Sequence, residues 1–306
     1  MMFGTREPFR YGECSACGLL WLLDVPADLS AHYPDDYYAY GVVQTRQTDA
    51  LRRWMLRAKA RHLLGRLQPA GALLQRFRPH ALTQALGWLR RAGVGLHSRI
   101  LDVGCGQGHL IHALAETGFR HVEGADPFIS ADIAYPNGTR VARCAVEDLD
   151  GAYDLVMCHH AFEHMDAPRD RLAAMAARLA PGGTLLIRIP LADSHAWEHY
   201  GTDWVQLDAP RHLFLHTRHS MAHLEREVGL REVEVVYDGT GFGYWGSELY
   251  RRDLPLRPPG GGNSGPGRLG LTPDQIQSFD RKAAYANRSE RGDQAAFYLR
   301  NAALAA

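Results

Sequence analysis

Residues 100–108 read Ile-Leu-Asp-Val-Gly-Cys-Gly-Gln-Gly, and this stretch decides the fold. Apolar residues and an aspartate run straight into a turn with glycine at alternate positions, Gly104, Gly106 and Gly108. His109 to Glu116 then reads as the start of a helix. A strand that ends in a glycine-rich turn and opens a helix is how an α/β sheet makes room for a nucleotide-like ligand. Glycine lacks Cβ, so the backbone bends sharply and a ligand can lie against it. The spacing is GxGxG, not the GxGxxG of dinucleotide-binding turns, and no Lys-Ser/Thr pair closes it as in a phosphate loop. Asp102, ahead of the first glycine, repels a pyrophosphate and suits a cationic or ammonium-bearing ligand.

Working outward, the pattern predicts a strand over His121–Ala125 that ends at Asp126. Asp126 stands 24 residues after Asp102, close to the ~20 expected between a glycine turn and the acid that grips ribose hydroxyls. A carboxylate there accepts two charge-assisted bonds from a cis-diol; the alternative is a cap on the turn that Pro127 begins. Further strands are expected at Arg140–Cys144, Tyr153–Cys158 and Thr184–Ile189, with Pro181-Gly182-Gly183 as a turn before the last of these. Short apolar runs such as Leu155-Val156-Met157-Cys158 fit parallel strands buried on both faces. A helix at Ser220–Glu227, a strand at Glu232–Tyr237, a helix at Thr272–Asn287 capped by Thr272 with Pro273 behind it, and a final strand at Gln294–Asn301 complete the reading.

From the glycine turn onward the chain resembles the class I S-adenosylmethionine (SAM)-dependent methyltransferases. The resemblance implies an α/β fold: a seven-stranded, Rossmann-like, doubly wound sheet with an antiparallel last strand. It implies SAM as cofactor, cradled by Asp102, Gly104, Gly106 and Gly108, with Asp126 on the ribose. It places Glu147 near the adenine, although Ala145 stands where the family often has an aspartate, and Glu147 reads equally well as a solvated loop acid. It also matches an apolar strand followed by a histidine and a Leu-Glu-His-like segment, here Phe162-Glu163-His164, and sets His159 beside the methionine part of SAM.

The segment before the turn carries Cys14-Ser-Ala-Cys17, which resembles one half of a zinc knuckle. The segment resembles the start of some methyltransferases, especially those of sugar and polysaccharide pathways, which begin with two such pairs and then a Pro…Leu…Tyr…Asp-Tyr-Tyr segment. This chain keeps one pair and the tail, Pro26, Leu29, Tyr33 and Asp36-Tyr37-Tyr38. Zinc on Cys14 and Cys17, with further ligands from His32 or a second chain, is one reading. Free or buried cysteines in a degenerate knuckle are the other. Residues 46–97 read as a helical cap or linker with a basic face (Arg52, Arg53, Arg57, Lys59, Arg61, Arg66), taken as its solvated side. The expected organisation is thus 1–45 knuckle-like, 46–97 helical, and 98–306 the methyltransferase domain with insertions at 194–217 and 241–293.

The 194–217 insertion holds Trp204, Asp208, Arg211 and His212 in a Trp…Leu-Asp-Ala-Pro-Arg-His-Leu run that resembles the same sugar-associated group. Long loops beside an α/β sheet build substrate sites. His212 is the candidate general base, because histidine titrates near neutrality; a purely structural hydrogen bond is the competing reading. His159, Glu163, His164, Trp204 and Arg211 are expected around the acceptor.

With 34 basic and 34 acidic residues the charges cancel, which gives no support for a nucleic-acid partner. No apolar run reaches the ~20 residues of a membrane span. The charged start lacks a secretory core, and five cysteines, three of them in expected core elements, suit a reducing cytoplasm. The functional expectation is SAM-dependent methyl transfer to a small-molecule acceptor, a sugar or sugar-containing intermediate, on oxygen or carbon. The alternatives are a quinone precursor or other hydroxylated metabolite, or a non-catalytic SAM-binding module.

Overall fold

A computed structural model describes residues 2–33, 41, 43, 49–257 and 265–302. The chain opens with a hairpin, β1 (Tyr11–Glu13) and β2 (Leu20–Leu22), then three helices, α1 (Ala50–Leu63), α2 (Pro69–Phe77) and α3 (Thr83–Arg91). The central run is β3 (Arg99–Val103), α4 (His109–Glu116), β4 (His121–Ala125), β5 (Ile133–Ala134), β6 (Arg140–Ala142), β7 (Tyr153–His159), α5 (Pro168–Ala177) and β8 (Leu179–Pro190). It continues through α6 (His195–Tyr200), β9 (Phe214–Leu215), α7 (Arg218–Glu227), β10 (Leu230–Tyr237), α8 (Phe242–Arg251), α9 (Pro273–Arg288) and β11 (Gln294–Asn301).

The main sheet has the order β10-β11-β8-β7-β3-β4-β6-β5. Strands β6, β4, β3, β7 and β8 are parallel, and β11 runs antiparallel between β8 and β10. Seven of the eight strands are those expected from the sequence. The eighth, two-residue β5, adds a short antiparallel edge to β6. The chain winds outward from β3 through β4 to β6, then returns to β7 on the other side of β3. The carboxyl ends of β3 and β7 therefore flank the switch point, where α/β sheets place their ligands.

Side chains alternate across this sheet as the two-residue period demands. Leu101, Val103, Val156, Cys158, Ile187 and Phe297 pack on the face covered by α5 and α7. Ile100, Leu155, Met157, Leu186 and Tyr298 pack on the other face, against Leu86 and Leu89 of α3 and Ile111 and Leu114 of α4. A third core joins the amino-terminal hairpin to the insertions: Leu20, Trp204, Leu215, Tyr244, Leu249 and Phe279. The join is also a small sheet, β1-β2-β9.

Local rules fix the helix boundaries. Thr217 and Ser220 form a reciprocal capping box on α7, and Thr272 and Gln275 form another on α9, with Pro273 at its first turn. The strand expected at Thr184 begins earlier, because Pro181–Gly183 forms a bulge inside β8 rather than a separating turn. The basic face of α1 is not wholly solvated: Lys59 is buried and donates to the Arg78 carbonyl at 2.7 Å. The insertion at 194–217 is more ordered than a loop reading allows, with α6, two 3-10 turns and β9. Residues 34–40 of the Tyr-rich tail and residues 258–264 of the Gly/Pro-rich stretch lie outside the described residues. Among the described residues no helix is long and apolar enough to cross a membrane.

Candidate functional site

The turn after β3 is built as its sequence requires. Gly104, Gly106 and Gly108 have φ of +71°, +54° and +77°, the left-handed region that other residues enter at a cost. Asp126, at the end of β4, ties the turn down. Its Oδ2 accepts from the Gly106 N–H at 2.8 Å and its Oδ1 from the Phe128 N–H at 2.9 Å. Each oxygen keeps a lone pair for a ligand hydroxyl. Asp126 thus caps its local turn, and that role leaves the ribose role open. Asp102 is buried beside it. Burial, and then the neighbouring Asp126, push the Asp102 carboxyl up to about 8.

The loop after β7 lies on this turn. A Cβ at Gly104 would stand 2.4 Å from the Ala161 Cβ, so the close approach of the loop also demands glycine. His159 ends β7 and packs against Trp88 of α3 with ring centroids 4.8 Å apart. Burial, then Arg188 and His160, take its imidazole down to about 3. The Arg188 guanidinium lies over the same Trp88 ring at 4.6 Å, and donates to Asp238 Oδ2 at 2.7 Å and to His160 Nε2 at 2.6 Å. The sequence reading missed this network. Its signal was Arg188 itself, a lone charge inside the apolar run Leu185-Leu186-Ile187-Arg188-Ile189.

Beyond His160 the backbone makes a 3-10 turn, Phe162–His164, and meets the 194–217 insertion. Leu213 N–H donates to the Glu163 carbonyl at 2.8 Å, which locks the two loops together. Glu163 is 1% exposed. Its Oε1 lies 3.5 Å from His160 Nδ1 and 4.0 Å from His212 Nε2. Burial pushes the Glu163 carboxyl up, but the contact with His160, and then His164 and His212, hold it below the usual range. His212 is also buried. Its Nδ1 donates to the Gln206 carbonyl at 2.7 Å, and its Nε2 lies 3.8 Å from Asp208 Oδ2. Burial, then His164, lower the His212 imidazole to about 4, against the opposing pull of Asp208 and Glu163. The His164 and His212 rings meet edge-on at 4.7 Å. Arg211 pairs with Asp208, as one of the two sequence readings had it.

Three sequence-expected residues sit differently. Glu147 is exposed and its carboxylate is engaged by Arg171 at 2.7 Å, the solvated-acid reading. Trp204 is 0% exposed in the third core, so it is a packing residue and not a wall of the acceptor pocket. Cys14 and Cys17 lie in the turn between β1 and β2, closed by Gly18 N–H on the Cys14 carbonyl at 2.7 Å. His32, a suggested third ligand, packs edge-on against Phe9 instead. Among the described residues no group of three metal-binding side chains includes either cysteine. The Cys14 thiol is lowered by the backbone of Ala16 and Cys17, while burial raises that of Cys17.

Residues 74–235, just over half of the chain, match a family described as "Methyltransferase domain". The chain is 32% identical over 123 residues to the ubiquinone biosynthesis O-methyltransferase of Erwinia tasmaniensis, covering 37% of this chain and 51% of that one. Against the protein of the same name from Bordetella avium it is 37% identical over 121 residues, covering 35% and 50%. The chain thus spans about half the length of these curated relatives. Among solved structures, it is similar to coclaurine N-methyltransferase bound to N-methylheliamine and S-adenosylhomocysteine (12% identity, 72% of this chain and 70% of that, TM-score 0.46). A SAM-dependent methyltransferase from Mesorhizobium loti is similar to a like degree (16%, 72% and 98%, TM-score 0.44). The chain belongs to the methyltransferase domain family.

Proposed function

We propose that this chain transfers a methyl group from SAM to a hydroxyl of a small acceptor of the quinone-precursor class, a hydroxylated aromatic. The observation that carries the donor half is the pair of buried carboxylates, Asp102 and Asp126, at a glycine turn on the switch point of the sheet. Two adjacent buried acids favour a cationic ligand, and Asp126 keeps acceptor capacity for a cis-diol. These residues fit SAM. When bound, SAM supplies a methyl group on a positively charged sulfur, open to in-line displacement by an acceptor oxygen.

The chain's own residues then have three tasks. Asp102 and Asp126 hold and orient the donor, and His159 lines the end of β7 near it. The insertion and the loop after β7 form the acceptor side. Alignment of this kind is worth about 7–11 kcal/mol in favourable cases. The Glu163–His164–His212 cluster, two residues beyond the Ala161 that packs on Gly104, assists departure of the hydroxyl proton.

The acceptor class rests on the relatives' names, which all point to O-methylation in ubiquinone biosynthesis. The sugar acceptor expected first keeps one support of its own, the likeness of residues 204–213 and the Cys14/Cys17 turn to sugar-pathway enzymes. A panel of catechol-like precursors and nucleotide sugars with methyl-labelled SAM separates the two. A labelled aryl ether is the expected product. A labelled sugar would favour the second reading, and tight SAM binding without turnover on any acceptor would favour a non-catalytic module.

A further inference from the structure

The hydrogen bonds of the acceptor-side cluster leave its charges unexplained. The Nδ1 atom of His164 lies 2.8 Å from the Arg211 carbonyl, and Nδ1 of His212 lies 2.7 Å from the Gln206 carbonyl. A carbonyl oxygen only accepts, so each Nδ1 carries the hydrogen and each Nε2 is left with a lone pair. In His212 that lone pair faces Glu163 Oε1 at 4.0 Å and Asp208 Oδ2 at 3.8 Å. Asp208 is compensated by the Arg211 guanidinium at 2.6 Å, so the lone pair of His212 Nε2 and the Glu163 carboxylate are the groups left facing each other with no hydrogen between them. Glu163 is 1% exposed; the one donor near Oε1 is His160 Nδ1, at a long 3.5 Å, and Oε2 accepts no hydrogen bond among the described residues. A buried carboxylate left in this way costs several kcal/mol unless a cation or donor compensates it.

We infer that Glu163, His164 and His212 form a binding site for a divalent first-row transition-metal ion. The ion would be held by the Glu163 carboxylate and the two Nε2 atoms. One ligating atom from each of the three side chains lies within 4.8 Å of those of the other two. Bonds of ~2.1 Å set ligand atoms ~3.4 Å apart at a tetrahedral ion, so closing the site takes side-chain movements of about 0.5–1.5 Å. The Nδ1-to-carbonyl bonds are the outer-sphere contacts that fix a ligating imidazole in the right tautomer and orientation. Two neutral imidazoles and one carboxylate suit Zn²⁺, Mn²⁺ or Fe²⁺ better than Mg²⁺ or Ca²⁺, which prefer oxygen alone. Three protein ligands leave open positions at the ion.

The inference deepens the acceptor half of the proposed function and rests on that reading only for what the open positions do. A hydroxyl bound there releases its proton to solvent more readily, and the oxygen keeps the electron pair that forms the bond to the methyl group. His212 then serves as a ligand, not as the proton acceptor that its sequence context suggested. Metal binding itself does not depend on the acceptor or on turnover.

The test is metal content and metal affinity of the full chain. Metal-free protein is titrated with zinc or manganese chloride by calorimetry, and the reconstituted protein is assayed for bound metal. The background is Cys14→Ser/Cys17→Ser, which removes any thiolate site. One ion per chain is expected in that background, with at least 100-fold weaker binding in Glu163→Gln and His212→Asn. SAM affinity, measured in the same samples, should be retained. Cobalt substitution of the background protein gives a reading that does not depend on the variants folding. A visible cobalt spectrum without sulfur charge transfer is expected. The proposal is overturned if the background protein binds no stoichiometric metal, or if folded Glu163→Gln binds it as tightly as its parent. Loss of turnover with metal binding intact would count against the proposed function alone.

Discussion

Oε1 of Glu163 and Nε2 of His212 stand 4.0 Å apart, although one residue follows β7 and the other comes from the insertion after β8. The main-chain bond from Leu213 to Glu163 holds that distance, so the acceptor side depends on two segments meeting. His212→Ala should therefore cut turnover by roughly 10²–10⁴-fold, the usual worth of a positioned group that assists loss of the acceptor's proton. SAM affinity should stay within about twofold, since the donor turn makes no bond to His212 among the described residues. Initial rates and calorimetry on the same protein check this. A parallel fall in rate and SAM affinity would make His212 a structural residue.

Gly104 and Ala161 offer a steric test of how the loop seats on the turn. Gly104→Ala forces a Cβ to 2.4 Å from that of Ala161 at a φ of +71°. The strained backbone alone costs about 1–3 kcal/mol. Adding Ala161→Gly removes the clash but not the strain, so the double variant should recover part of the loss. The expected coupling in urea unfolding is about 0.5–3 kcal/mol. Strict additivity of the two changes would mean that the loop is not packed on the turn.

Asp126→Ala deletes the acceptor of two backbone N–H groups and the expected ribose contact. A bond to a charged group is worth about 1.5–3 kcal/mol, which is roughly 10-fold or more in affinity for each one lost. Calorimetry should show SAM binding weakened to that extent. An unchanged dissociation constant would remove Asp126 from the donor site.

Asp102 predicts a pH dependence. Its carboxyl is raised to about 8 by burial and by Asp126, well above its ordinary value. The folded chain therefore holds a proton there that the unfolded chain has already lost, and stability falls as pH rises from about 4 toward 8. Asp102→Asn removes that slope. Its unfolding midpoint should exceed that of the parent at pH 8 by more than it does at pH 5. Equal pH slopes in the two proteins would contradict the assignment.

How much the sequence disclosed depends on whether the physics was local. The glycine turn, Asp126, the capped helix behind Thr272 and the last strand at Gln294–Asn301 are set by neighbouring residues, and all stand where the pattern put them. Trp204 was misplaced because an aromatic in an insertion reads alike whether it faces a ligand or a core. Only the packing of Leu20, Tyr244 and Phe279 around it distinguishes the two. Arg188, Asp238 and Trp88 were missed because they meet across the sheet from three distant segments. Glu163 and His212 were each visible as single residues. Their pairing was not, because the insertion that brings His212 back to β7 has no periodicity to extrapolate.

The most direct test of the account is to incubate the protein with methyl-labelled SAM and a small-metabolite extract, and to identify what becomes labelled. The account predicts label in an O-methylated, hydroxylated aromatic, with S-adenosylhomocysteine formed in equal amount. Absence of SAM binding, or binding with no label passed to any metabolite, would contradict it.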